Sequence, residues 1–231
     1  YLLILDKKST TFCPINWHYK IEYAMIEIKK VGDIMSRPIG VNSEDTKQFI
    51  VDIATKCFEQ KGYSATSMAD IKNETNMSKG TIYYHFKNKE ELYLYCIQQV
   101  SNEFLHNWTM MSKAEHSAEK KLYIWASLNN LVVQKPIMNT LHEYFVATNK
   151  NNYDAVIKLY EPEFQIVKDI LVEGIESGEF KNDLQVDDIA VLLFNFMTSL
   201  DHLDLFDYST PQKQKYIYKL AIDLILPGLK K

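Results

Sequence analysis

From Ser43 onward the apolar positions fall into helical order. Phe49, Ile50, Ile53, Ala54, Cys57 and Phe58 recur at the i, i+3, i+4 interval and predict one buried stripe. Ser43 is placed to cap that helix, Glu44 and Asp45 occupy its first turn, and Gly62 is expected to stop it. Next, "SMAD" at Ser67 to Asp70 has the capping-box pattern and predicts a short helix through Ile71 to about residue 74. After the turn "TNM", Ser78 caps a second short helix reaching about His85. Then "NKEE", Asn88 to Glu91, opens a long fourth helix with Leu92, Cys96, Val100 and Leu105 on one side.

The rest of the chain also reads as helices. The pattern predicts one over about 115–133, one from Pro136 to about Ala147 and a longer one over about 152–177. Pro162 is expected to bend or break the long one, and Gly178 to end it. Two apolar helices follow, over about 186–204 and 211–226, with Pro211 in a first-turn position and Pro227 as the stop. Before Ser43 no period is sustained. Residues 1–42 form an N-terminal extension, and Met35 begins a plausible natural lead-in, "MSRPIGVNSEDTK". Residues 1–34 are therefore expected to be a translated leader or a misassigned start, with a genuine N-terminal arm as the alternative.

Composition narrows the classes. The chain has 231 residues, 46% of them apolar, which suffices for one or two domains with a real core. Only 7 glycines and 6 prolines disfavour a turn-rich β fold. The three cysteines, Cys13, Cys57 and Cys96, are far apart, so no disulfide framework or CxxC metal site is expected. No apolar run approaches a membrane span, so a cytoplasmic protein without membrane contact is the default. The net charge of −4 conceals an asymmetry. Between Thr46 and Leu92 seven lysines face six carboxylates, whereas from Tyr93 onward 13 basic residues face 18 acidic ones. A slightly basic module joined to an acidic one fits a nucleic-acid reader attached to a second domain.

Chemistry concentrates in "MSKGTIYYHFKNKEEL", residues 77–92. Two short helices joined by a three-residue turn make a helix-turn-helix when a longer helix supports them. Ile71, Met77, Ile82 and Phe86 supply the inner contacts, which leaves Lys79, Gly80, Thr81, Tyr83, Tyr84 and His85 outward with no folding reason to cluster. Duplex DNA supplies one. A helix fits the major groove, a lysine donates to guanine O6 and N7, and a glycine permits close approach. Tyrosine, threonine and histidine reach phosphates or thymine methyls, while Ser67 and Lys89 stand at helix starts where phosphates would lie.

The stretch "TKQFIVDIATKCFEQKGYSATSMADIKNETNMSKGTIYYHFKNKEEL", residues 46–92, resembles the DNA-binding domain of the TetR family of bacterial transcriptional regulators. Within it, "SKG..YYHFK.KE.L" is similar to the QacR-type multidrug-binding repressors. The resemblance implies DNA contacts at Thr66, Ser67, Ser78, Lys79, Gly80, Thr81, Tyr83, Tyr84, His85 and Lys89. It also implies an all-α fold of about nine helices, with a three-helix DNA-binding domain over 43–92 (helix-turn-helix about 67–86) and a C-terminal ligand and dimerisation domain over 93–231. One departure stands out: QacR-type regulators carry a tyrosine pair before a proline, whereas here Gln134 and Lys135 precede Pro136. A flat aromatic cation is therefore not carried over as the ligand.

The remaining expectations concern assembly and control. Apolar faces on the last two helices, through Ile189, Leu193, Phe196 and Leu200 and through Ile217, Leu220 and Leu224, predict a homodimer, or else only the monomer's own core. In the family the middle helices enclose a cavity, and Trp125, Met138, Glu143, Tyr144, Tyr160, Phe164 and Phe194 are candidates to line it; each is equally a core position. The expected function is a repressor released from operator DNA by a small hydrophobic or amphipathic inducer. A ligand-independent activator and a helical interaction module are the alternatives. "HEYFV" at 142–146 lacks the second histidine of HExxH, and there is no P-loop, GxSxG or GxGxxG, so no enzyme, cofactor or metal site is expected.

Overall fold

The computed structural model describes residues 42–148, 153–208 and 210–231. The expected leader over residues 1–34 lies outside the described residues. Among the described residues there are nine α-helices: α1 (Ser43–Ala65), α2 (Met68–Thr75), α3 (Lys79–His85), α4 (Lys89–Ser112), α5 (Ala118–Val133), α6 (Leu141–Ala147), α7 (Tyr153–Glu176), α8 (Val186–Thr198) and α9 (Pro211–Leu229). Short 3-10 segments occupy Pro136–Thr140 and Ser199–Phe206. Among the described residues extended pairing is limited to an isolated bridge between Phe180 and Lys230. The fold is all-α.

Local chemistry explains where the helices begin. Ser67 Oγ accepts from the Asp70 amide at 3.1 Å while the Asp70 carboxylate accepts from the Ser67 amide at 2.9 Å, a reciprocal box that starts α2. Lys61 first, then Ser67, hold the Asp70 carboxyl below the usual carboxylate range. Ser78 Oγ accepts from the Thr81 amide at 3.1 Å to start α3, and Asn88 Oδ1 from the Glu91 amide at 2.8 Å to start α4. Gly62 breaks the helical path of α1 at φ 80°, and a last short turn runs on to Ala65.

Two buried clusters organise these helices. The first joins Ile50, Val51, Ala54 and Phe58 of α1 to Ile71, Ile82, Phe86, Leu92, Tyr93 and Ile97, and draws in Ile137, Tyr144 and Val156 from beyond α4. The second gathers Phe104, Leu122, Trp125, Leu128, Val167, Leu171, Met197, Tyr218 and Ile222. Helix α4 enters both, with Leu92 to Ile97 at one end and Phe104 at the other. It is the rod that joins the DNA-side module to the rest.

Some sequence expectations need correction. Phe49 is exposed and Val51 is buried in its place, against α4, where Cys96 Sγ meets the Val51 carbonyl. Pro162 lies inside α7 without ending it, and α9 runs through Pro227 to Leu229. Both prolines face solvent, where a carbonyl left without its helical donor can be hydrated. Helix α8 ends at Thr198, earlier than its apolar pattern implied. No helix among the described residues is long and apolar enough to cross a membrane.

Candidate nucleic-acid interface and ligand cavity

Helix α3 is held by its inner face. Ile82 and Phe86 are buried, whereas Lys79, Tyr83 and Tyr84 are exposed, Tyr84 by 79%. The Lys79 ammonium lies 5.4 Å from the Tyr83 ring centroid, and the Tyr84 and His85 rings meet edge to face at 5.0 Å. Thr81 is half-buried, its hydroxyl 2.8 Å from Ser78 Oγ. A Cβ at Gly80 would meet only Ser78 Oγ at 3.7 Å, so nothing inside the fold demands glycine there. The outward row is thus an amphipathic basic and aromatic surface at the leading end of a helix, the form a major groove accepts.

Two of the expected DNA contacts are placed otherwise. Thr66 is 1% exposed, and its hydroxyl donates to the carbonyls of Gly62 (2.7 Å) and Cys57 (3.1 Å), tying the chain after the break at Gly62 back onto α1. The Lys89 ammonium donates to the Tyr63 carbonyl at 2.9 Å and approaches the Ser64 carbonyl at 3.4 Å, over the Tyr63 ring at 4.3 Å. Burial lowers its pKa, with Glu143 opposing. The end of a helix attracts a cation, and here the last carbonyls of α1 hold the Lys89 ammonium.

Helix α6 bolts onto the same corner. Glu143 Oε2 accepts from the Ser64 amide at 3.1 Å, and a side chain at Gly62 would collide with the Glu143 carboxylate. Tyr144 is wholly buried; its hydroxyl donates to Glu90 at 2.9 Å, and its ring packs against Tyr63 at 5.1 Å and Tyr93 at 5.0 Å. Tyr93 Oη in turn lies 2.8 Å from Thr140 Oγ1. Glu143 and Tyr144 therefore connect the reader to the second module rather than line a cavity. Sequence alone could not show this, since the partners lie 79 and 54 positions away.

The cavity between α4 and α7 is small, about 20 Å³, and is lined by Ile97, Val100, Phe104, Met138, Tyr160 and Glu163 among others. Of the seven candidates only Met138 and Tyr160 line it. Trp125 is wholly buried in the second core, and Phe164 and Tyr160 pack edge to face on Phe194 at 5.7 and 5.9 Å. Sequence reasoning missed Glu163, which is 7% exposed. Its carboxyl faces the Asn129 and Trp125 side chains, although no donor meets Oε1 in good hydrogen-bond geometry among the described residues. Burial pushes the Glu163 carboxyl up to about 7, opposed by Asn129 and Trp125. The signal was present: a carboxylate sits in register with Val156, Val167, Ile170 and Leu171 on the buried face of α7.

On α8, Leu193 is 2% exposed and belongs to the monomer's core; Leu192, at 66%, and Phe196 carry the exposed face instead. Ile189 and Leu200 pack partly against the core. On α9, Leu224 is exposed while Ile217 and Leu220 are half-buried.

Comparison with known proteins follows the same division. Residues 50–96 match the bacterial regulatory proteins of the tetR family, and residues 99–231 match the C-terminal region of QacR-like proteins. The HTH-type transcriptional regulator QacR of Staphylococcus aureus is 26% identical over 190 residues, covering 80% of this chain and 98% of QacR. The uncharacterised HTH-type transcriptional regulator YhgD of Bacillus subtilis is 29% identical over 147 residues, 60% of this chain and 74% of YhgD. The crystal structure of the regulator FadR from Bacillus subtilis with stearoyl-CoA superposes with a TM-score of 0.66 at 21% identity, covering 78% of this chain and 98% of that one. A regulator from Saccharomonospora viridis in complex with choline gives 0.68 at 17% identity, covering 81% and 99%.

Proposed function

The chain belongs to the TetR family of bacterial transcriptional regulators, and from that premise we propose that it is a cytoplasmic homodimeric repressor that α3 seats on operator DNA and a small amphipathic inducer releases. The observation that carries this reading is the two-sidedness of α3: Ile82 and Phe86 anchor it while Lys79, Tyr83 and Tyr84 stand free of the core. Lys79 is assigned to a guanine edge, Gly80 to the closest approach, and Tyr83, Tyr84 and His85 to phosphates or thymine methyls. Ser67, Ser78 and Thr81 hold helix starts whose amides would face phosphates. Binding, with no chemical step, is the whole of the activity.

Control follows from the cavity. A space of about 20 Å³ is large enough for little more than a water. An inducer must therefore part α4 from α7, and it favours an expanded state that the closed packing excludes. Glu163 gives that ligand a reason to bind, as a buried carboxyl on the cavity wall. Two family-fold neighbours were solved with stearoyl-CoA and with choline, molecules of unlike chemistry, so the ligand is set by the lining and not by the fold. Movement of α4 would reach the end of α1, and with it the DNA-side module, through Lys89, Glu143 and Tyr144, with a coupling of roughly 1–3 kcal/mol. Leu192, Phe196 and Leu224 are assigned to the dimer face.

Fluorescence anisotropy with a duplex from the chain's own upstream region tests the DNA reading. Affinity should fall by roughly a hundredfold or more between about 50 and 200 mM salt. Binding that is absent in dilute buffer, or indifferent to salt, would contradict it.

A further inference from the structure

Helices α5 and α9 enclose a groove of about 430 Å³, apart from the α4–α7 cavity. Its size falls within the roughly 300–1,000 Å³ range of small-molecule clefts. Tyr123 and Tyr216 contribute aromatic surface, and most of the lining is apolar. Five polar side chains interrupt it, Ser127, Asn130, Gln212, Lys215 and Lys219, and three of them bear on the choice of ligand. Asn130 lines the groove, is almost wholly buried, and its Oδ1 has no hydrogen-bond partner among the described residues. An unmet amide oxygen in a buried position calls for a donor. Lys219 is already committed, 2.7 Å from the Asp223 carboxylate, which also accepts from the Tyr123 hydroxyl at 2.6 Å. Lys215, on the same side of α9, pairs with no carboxylate among the described residues and is exposed at the rim.

We infer that this groove is a second ligand site, distinct from the inducer cavity, and that it takes an aromatic carboxylate bearing an N–H or O–H donor. The carboxylate meets Lys215, the ring lies with Tyr123 and Tyr216, and the donor reaches Asn130. A cationic ligand is disfavoured, because the two ammonium groups present would repel it and the nearest carboxylate, Asp223, is engaged by Lys219 and Tyr123. Lys215 and Lys219 lie well round α9 from Leu224, while Tyr216, eight residues before Leu224, borders the proposed dimer face. The site stands whether or not the inducer reading holds.

The test uses indole-3-acetate as probe, titrated calorimetrically into the full chain, with 1-methylindole-3-acetate as the analogue that lacks the N–H. Indole-3-acetate should bind with a sub-millimolar dissociation constant, and the methylated analogue about tenfold more weakly. Lys215→Glu, an exposed change that leaves the core intact, should weaken indole-3-acetate about tenfold. Ser127→Phe, which fills the groove, should abolish binding. An isosteric change in the other cavity, Glu163→Gln, should leave binding unchanged. No detectable binding at millimolar probe, equal affinity for the two indoles, or loss on Glu163→Gln with retention in Ser127→Phe would each overturn the assignment.

Discussion

Single side chains carry the sharpest consequences here. Glu163 has its carboxyl raised from 4.5 to about 7 by burial, so between those values the folded chain keeps a proton that the unfolded chain has lost. Stability must then fall as pH rises through that window, with a slope approaching roughly 1.4 kcal/mol per pH unit from this group. Urea unfolding from pH 4.5 to 8 should show the decline in the native chain and a flatter profile in Glu163→Gln; identical profiles would refute it. Asp70 has the opposite sign. Its folded carboxyl is depressed by Lys61 and Ser67, so its contribution is present above the unfolded pKa and is lost as acid protonates it. Lys89 is a structural cation, since two carbonyls hold its ammonium. Lys89→Ala should cost on the order of 1–2 kcal/mol in chemical denaturation, and it should not act as the simple loss of a phosphate contact.

At the level of helices, what the sequence announced was local. Ser67, Ser78 and Asn88 cap their helices through partners three residues on, and such pairs can be read from spacing alone. Ser67→Ala should therefore cost about 1 kcal/mol, measurable by the same denaturation and accompanied by fraying of α2. Prolines were less legible, because Pro162 and Pro227 break a helix only where the freed carbonyl cannot reach water, and both face solvent. Long-range partners were not legible at all. Glu143 and Tyr144 resembled pocket residues by type and lie instead on Ser64 and Glu90. If α6 does pin the α1–α2 corner, Glu143→Ala should accelerate hydrogen exchange at the Ser64 amide while leaving the core of α7 protected. Unchanged exchange at Ser64 would show that the contact holds nothing.

For the whole molecule, the all-α architecture followed from periodicity, and the DNA-facing helix from an outward cluster with no packing purpose. The ligand cavity was the least legible part, because aromatic residues serve cores and pockets alike and only three-dimensional packing separates Met138 and Tyr160 from Trp125. Leu193 belongs to the monomer's core while its neighbour Leu192 is exposed, since a wide apolar helix conceals which edge meets its own core. Leu224→Glu should yield a folded monomer in sedimentation velocity, with operator affinity reduced by on the order of a hundredfold. The central claim is that α3 reads base edges. Selection of bound duplexes from a randomised pool tests it most directly, comparing the native chain with Lys79→Ala. The native chain should enrich one two-fold-related motif, and the variant should lose discrimination at one symmetric pair of positions by about 1–3 kcal/mol. Enrichment of the same motif with the same stringency by both proteins would contradict the account.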